Sequence, residues 1–99
     1  MITVIRSATV APGKLADAIT FAKETAALSS RLTGNEVRLV SALAGAIPTI
    51  AWMSTYKDLA SYETGIGKLM GSQEWLTALK KCAGVFVDGS IRNEIWRDL

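Results

Sequence analysis

The 99-residue chain contains no histidine, one cysteine (Cys82) and two prolines. Without histidine there is no Ser-His or Cys-His nucleophile pair, no histidine metal site and no histidine ligand for haem. A single cysteine excludes an intramolecular disulfide, so the fold must rest on its apolar core. Charge of one sign is also scarce. Eleven Lys+Arg against nine Asp+Glu leave a net charge of +2, too little for a strong polyanion field despite a pI near 8.9. What remains is an ordinary globular composition, 49% hydrophobic and 20% charged, which argues against disorder. Residues 1–99 are read as one domain, with an expected radius of gyration of about 13 Å.

Long apolar runs are missing as well. The first fifteen residues carry Arg6 and Lys14 among alternating apolar positions and lack the apolar core and small-residue cleavage site of a signal peptide, so the expected address is cytoplasmic. Leu39 to Tyr56 is uncharged and reaches the roughly 18 residues of a membrane helix. Gly45, Pro48 and alternating Ser and Thr instead make it two strands joined by a tight turn from Gly45 to Pro48.

Ile2, Val4, Ala8 and Val10 alternate with Thr3, Ile5, Ser7 and Thr9 in a first strand. Pro12-Gly13 ends it. Leu15, Ile19, Ala22, Ala26 and Ser29 then recur at helical spacing, with Phe21, Leu28 and Leu32 beside them, as far as a cap at Gly34. Val37–Leu43 and Ile50–Tyr56 read as a hairpin. Asp58 is placed to cap a second helix bearing Leu59, Tyr62, Ile66 and Leu69, and Ser72 to cap its continuation after a break near Gly71. Val85 to Trp96 reads as a last extended segment, with Gly89 as a bulge or register break. The order βαββαβ predicts an α+β, ferredoxin-like plait: a four-stranded antiparallel sheet with helices on one face.

The other sheet face should be polar in a monomer. Instead Ile5 opposes Val4, Val40 opposes Leu39, Met53 opposes Trp52, and Ile91 with Ile95 opposes Trp96. Leaving such a face wet forfeits several kcal/mol at about 25 cal/mol per Å². The expectation is a homodimer whose uncovered sheet faces meet; the alternative is that loops or the C-terminal segment cover that face.

Arg6 shares the core-facing side of the first strand and cannot be deprotonated, so it needs an acceptor. The bland reading is an ion pair with Glu63, Asp88 or Glu94, or a side chain that snorkels to water. The functional one is an anion anchor. Trp52, Tyr56, Tyr62 and Trp75 are candidates to line an aromatic pocket, although aromatics at such spacing also serve as core. Cys82, with no base partner, reads as a small apolar filler, and Asp17 and Glu24 as solvated. Gly65, Gly67 and Gly71 have the wrong spacing for a dinucleotide loop. The chain also lacks the aromatic platform of RNA-recognition modules, so no nucleic-acid partner is expected, and no membrane.

The segment Ile5-Arg6-Ser7-Ala8-Thr9-Val10-Ala11-Pro12-Gly13-Lys14 resembles the opening of NIPSNAP-like proteins, in which a first strand carrying Arg leads through Pro-Gly-Lys into the first helix. Ser54-Thr55-Tyr56-Lys57-Asp58-Leu59 is similar to the family's passage from the third strand into the second helix. Ser72-Gln73-Glu74-Trp75 resembles its acidic-aromatic start of the last helical turns. The wider group is the dimeric α+β barrel proteins, including antibiotic-biosynthesis-type and haem-degrading monooxygenases. The resemblance implies a dimer joined through its sheets, with a pocket between sheet and helices in each subunit. By position Arg6 replaces the strand-one asparagine of the oxygenase branch. Together with the absent histidine, that departure prevents either branch's chemistry from being carried over. The resulting expectation is a protein without metal or cofactor that binds a small apolar or anionic molecule near Arg6, Trp52, Tyr56, Tyr62 and Trp75. Its rival is a cofactor-independent monooxygenase or isomerase acting on an aromatic or polyketide-like compound.

Overall fold

A computed structural model describes residues 1–45 and 48–99. The elements run β1 (Ile2–Thr9), α1 (Leu15–Thr33), β2 (Arg38–Ser41), β3 (Thr49–Tyr56), α2 (Leu59–Met70), α3 (Gln73–Leu79), a 3₁₀ turn at Lys80–Cys82, and β4 (Arg92–Arg97). The four strands form one antiparallel sheet in the order β2-β3-β1-β4. This is the expected α+β plait, with its second helix divided in two. The middle of the expected Gly45–Pro48 turn, Ala46 and Ile47, lies outside the described residues.

Local chemistry sets the boundaries. Gly34, in the left-handed region at φ 76°, closes α1 by donating its N–H to the Ser30 carbonyl. Asp58 caps α2 by accepting from the Ser61 amide at 2.8 Å, and Ser72 caps α3 by accepting from Trp75 N at 3.2 Å. The chain turns between those helices at Gly71, whose N–H still bonds the Gly67 carbonyl. Among the described residues no helix is long and apolar enough to cross a membrane, and Leu39–Tyr56 does contain the two strands expected of it.

Three expectations need correction. Leu15 and Ile19, assigned to the buried face of α1, are 51% and 40% exposed; Ala18, Phe21, Ala22, Thr25, Ala26 and Leu28 are buried instead. The small side chains of Ala18 and Ala22 let the helix backbone approach Val10, Ile50 and Val85 closely, which turns the larger Leu15 and Ile19 toward the flank. Secondly, β4 begins at Arg92 rather than Val85. Val85–Ile91 is a connection held by the Ala11 N–H to the Val85 carbonyl, 2.9 Å, and by an isolated bridge between Val10 and Phe86. Gly89, at φ 76°, turns this connection and makes no bulge in a strand.

The third correction concerns the two sheet faces. Directly paired residues of an antiparallel ladder share a face. Ile95 pairs with Val4 and so lies on the helix side, whereas Trp96 pairs with Thr3 and lies on the outer side, the reverse of the expected assignment. A strand that starts seven residues later had no fixed phase until its register was known. The outer face therefore carries Ile5, Val40, Ala51, Met53 and Trp96, and every residue of β4 is exposed.

Candidate functional site

Between the helix side of the sheet and the helices lies a cavity of about 820 Å³, within the roughly 300–1,000 Å³ of small-molecule sites. β1 contributes Val4, Arg6 and Ala8 to its wall, and β3 contributes Trp52, Ser54 and Tyr56. Helix α2 closes it with Tyr62, Glu63, Ile66 and Gly67, and α3 with Trp75. Ile91 and Asn93 flank it from the β4 side. All five candidates read from the sequence, Arg6, Trp52, Tyr56, Tyr62 and Trp75, thus reach one cavity.

The aromatic wall is held rigidly. Phe21, Trp52 and Phe86 form a mutual edge-to-face triad, with ring centroids 6.4, 5.8 and 5.9 Å apart, the arrangement that ring quadrupoles favour. Trp52 Nε1 donates to Thr25 Oγ1 at 3.2 Å, and that hydroxyl donates in turn to the Phe21 carbonyl at 2.9 Å. Tyr56 and Tyr62 pack edge to face at 5.3 Å. Trp75 packs with Leu28, Leu69 and Ala78, and its buried Nε1 has no hydrogen-bond partner among the described residues.

Arg6 supplies the cationic end. It sits opposite Trp52 on one neighbouring strand and opposite Asn93 on the other. Its Nε donates to Asn93 Oδ1 at 2.8 Å. Of the two bland alternatives, the ion pair with Glu63, Asp88 or Glu94 is not formed, the two ion pairs among the described residues being Arg31–Glu74 and Lys81–Glu24, and Arg6 is exposed, as a side chain that snorkels to water would be. Glu24, expected to be solvated, is in the second of these. The register explains Arg6, because Glu94 pairs with Ile5 and points to the outer face, which leaves Asn93 as the side chain beside the guanidinium. The terminal nitrogens of Arg6 have no protein partner among the described residues. Glu63 is the other charged residue of the cavity wall. Among the described residues no three Cys, Asp or Glu side chains gather to hold a metal ion.

A NIPSNAP family protein from Agrobacterium tumefaciens superposes with a TM-score of 0.85 at 20% identity, covering 99% of this chain and 92% of that one. An uncharacterised NIPSNAP domain protein from Burkholderia xenovorans gives 0.85 at 10% identity over 100% and 95%. The chain has the NIPSNAP fold. An antibiotic biosynthesis monooxygenase-like protein from Nitrosomonas europaea shares the NIPSNAP-like plait less closely, at 0.76 and 16% identity over 100% and 99% of the two chains. No family model matches the sequence, and no curated protein is significantly similar to it.

Within this NIPSNAP-like plait the sequence reading missed Asn93, Phe86 and Thr25. Asn93 could be connected to Arg6 only through a register spanning 87 positions. Phe86 precedes β4 and carries no periodic signal. Thr25 lay between positions assigned to the helix stripe. Cys82, read as apolar filler, is half-buried on the cavity wall.

Proposed function

We propose that this protein binds a small molecule with an apolar, aromatic-compatible body and an anionic end, taken into the cavity between sheet and helices with the anion at Arg6. The observation that carries the reading is a permanent cation, with its terminal donors unpartnered among the described residues, on the wall of an otherwise largely apolar cavity. A guanidinium meets an anion through charge-assisted hydrogen bonds, roughly twice as strong as those between neutral groups. In the same reading the protein works as a homodimer. The outer sheet face, with Ile5, Val40, Met53 and the 59% exposed Trp96, is the surface that a second copy would cover.

N-phenyl-1-naphthylamine, a neutral aromatic fluorophore, tests the cavity. Saturable binding is expected. Absence of binding would overturn the reading. Native mass spectrometry tests the assembly: a mass near twice 10.6 kDa supports the dimer, and a clean monomer refutes it.

A second reading, a cofactor-independent monooxygenase or isomerase acting on an aromatic or polyketide-like compound, draws on the likeness to the Nitrosomonas europaea protein. Arg6 would stabilise an enolate, and the Tyr56 or Tyr62 hydroxyl would handle the proton. Arg6-dependent deuterium exchange beside the carbonyl of 2-acetylnaphthalene, followed by NMR, favours this reading; exchange at the uncatalysed rate counts against it.

A further inference from the structure

The Arg6–Asn93 hydrogen bond has a consequence for what the cavity selects. A guanidinium offers a carboxylate two bidentate edges, one formed by Nε with a terminal nitrogen and one by the two terminal nitrogens. In this protein Nε is already engaged with Asn93 Oδ1 at 2.8 Å. Nε can only donate, so the atom of Asn93 that meets it must be the carbonyl oxygen. The side-on edge is closed and the end-on edge is open. The two residues are also direct cross-strand partners, so the bond restrains the long Arg6 side chain from the sheet itself.

We propose that Asn93 is the positioning residue that fixes Arg6 for end-on recognition of a monoanionic carboxylate carried on an apolar body, so that selectivity for acid over neutral analogue depends on Asn93. This rests on the binding reading above and adds a ligand class to it. Asn93 is a neutral acceptor and leaves the charge of Arg6 available, which an aspartate there would cancel. Glu63, on the same wall and not ion-paired with Arg6, disfavours a second negative charge and so sets the preference for a monoanion over a dianion.

The test uses anthracene-2-carboxylate and its methyl ester, which share a ring system and differ in charge, titrated by fluorescence into the wild-type protein and into Asn93→Val and Asn93→Asp at neutral pH. The wild type is expected to bind the acid about tenfold more tightly than the ester, the scale of one charged hydrogen-bonding contact. Asn93→Val should bring that preference to within about threefold, by freeing Arg6 to sample other rotamers. Asn93→Asp keeps an acceptor for Nε but sets a carboxylate against the guanidinium that offsets its charge, and should leave the ester bound at least as tightly as the acid. This second variant decides the matter if the first does not fold. Retention of the wild-type preference in both variants overturns the role of Asn93 while the binding reading stands. Equal affinity of the wild type for acid and ester overturns the role of Arg6, and with it that of Asn93. No binding of either probe overturns the binding reading and this inference together.

Discussion

The indole N–H of Trp52 on β3 donates to Thr25 Oγ1 on α1 at 3.2 Å, and through this contact the first helix fixes an aromatic wall of the cavity. Thr25 is 3% exposed and its hydroxyl also donates to the Phe21 carbonyl. Thr25→Val preserves shape and removes the acceptor, leaving a partly buried indole N–H without a partner. The expected cost is about 1–2 kcal/mol, a fall in Tm of about 5–10 °C for a domain of this size. Thermal unfolding followed by circular dichroism checks it, and an unchanged Tm would mean that the indole finds water.

How much of this was legible in the sequence follows from what each feature depends on. β1, the hairpin, and the caps at Gly34, Asp58 and Ser72 rest on nearest-neighbour chemistry and on periods of two or about 3.6 residues, all of which can be read along a chain. The five candidate site residues lie on β1, β3, α2 and α3, whose facing was legible from those periods. The rotation of α1 toward Ala18 and Ala22 was not, because it depends on how closely a helix can approach a sheet. Nor was the phase of β4, which pairing with β1 sets. Asn93 therefore became visible beside Arg6 only in the folded chain.

Two glycines two residues apart along α2, and so on different sides of the helix, should respond oppositely to the same change. A Cβ at Gly67 meets nothing within 4 Å, whereas one at Gly65 meets Tyr56 Cε1 at 3.2 Å and its hydroxyl oxygen at 3.3 Å. Gly67→Ala is expected to stabilise by about 1 kcal/mol, the helix-propensity difference. Gly65→Ala is expected to lower Tm, because Tyr56 is buried against Ile2, Val4 and Tyr62 and has little room to yield. Urea unfolding of the two variants side by side measures the difference, and equal shifts would show that the tyrosine moves freely.

Asp58 makes the stability of α2 dependent on pH. The hydrogen bond from the Ser61 amide, and next that from the Ser61 hydroxyl, hold its carboxyl below the ordinary aspartate value of 3.8. A folded-state value depressed in this way stabilises the protein above the unfolded-state value, and that contribution is lost as pH falls through the folded one. Asp58→Ala should therefore lower Tm at pH 7. The gap from wild type should narrow as pH falls below about 4, the ordinary carboxylate range. A gap that is constant from pH 7 to pH 2.5 would show that the cap contributes through geometry and not through charge.

Arg6→Met separates a ligand anchor from a structural role. The guanidinium is exposed, makes one side-chain hydrogen bond and belongs to no ion pair among the described residues. Its replacement by an unbranched apolar chain is therefore expected to change stability by less than about 1 kcal/mol. The bond to Asn93 is lost, but both partners remain open to water and no buried group is left unpaired. Affinity for anthracene-2-carboxylate should fall at least tenfold, the scale of a charged hydrogen bond, with the methyl ester unaffected. Tm and both titrations on one preparation decide between the roles. A marked drop in Tm with the acid preference intact would identify Arg6 as a fastening between β1 and β4, and the anion would then have to be held elsewhere on the wall.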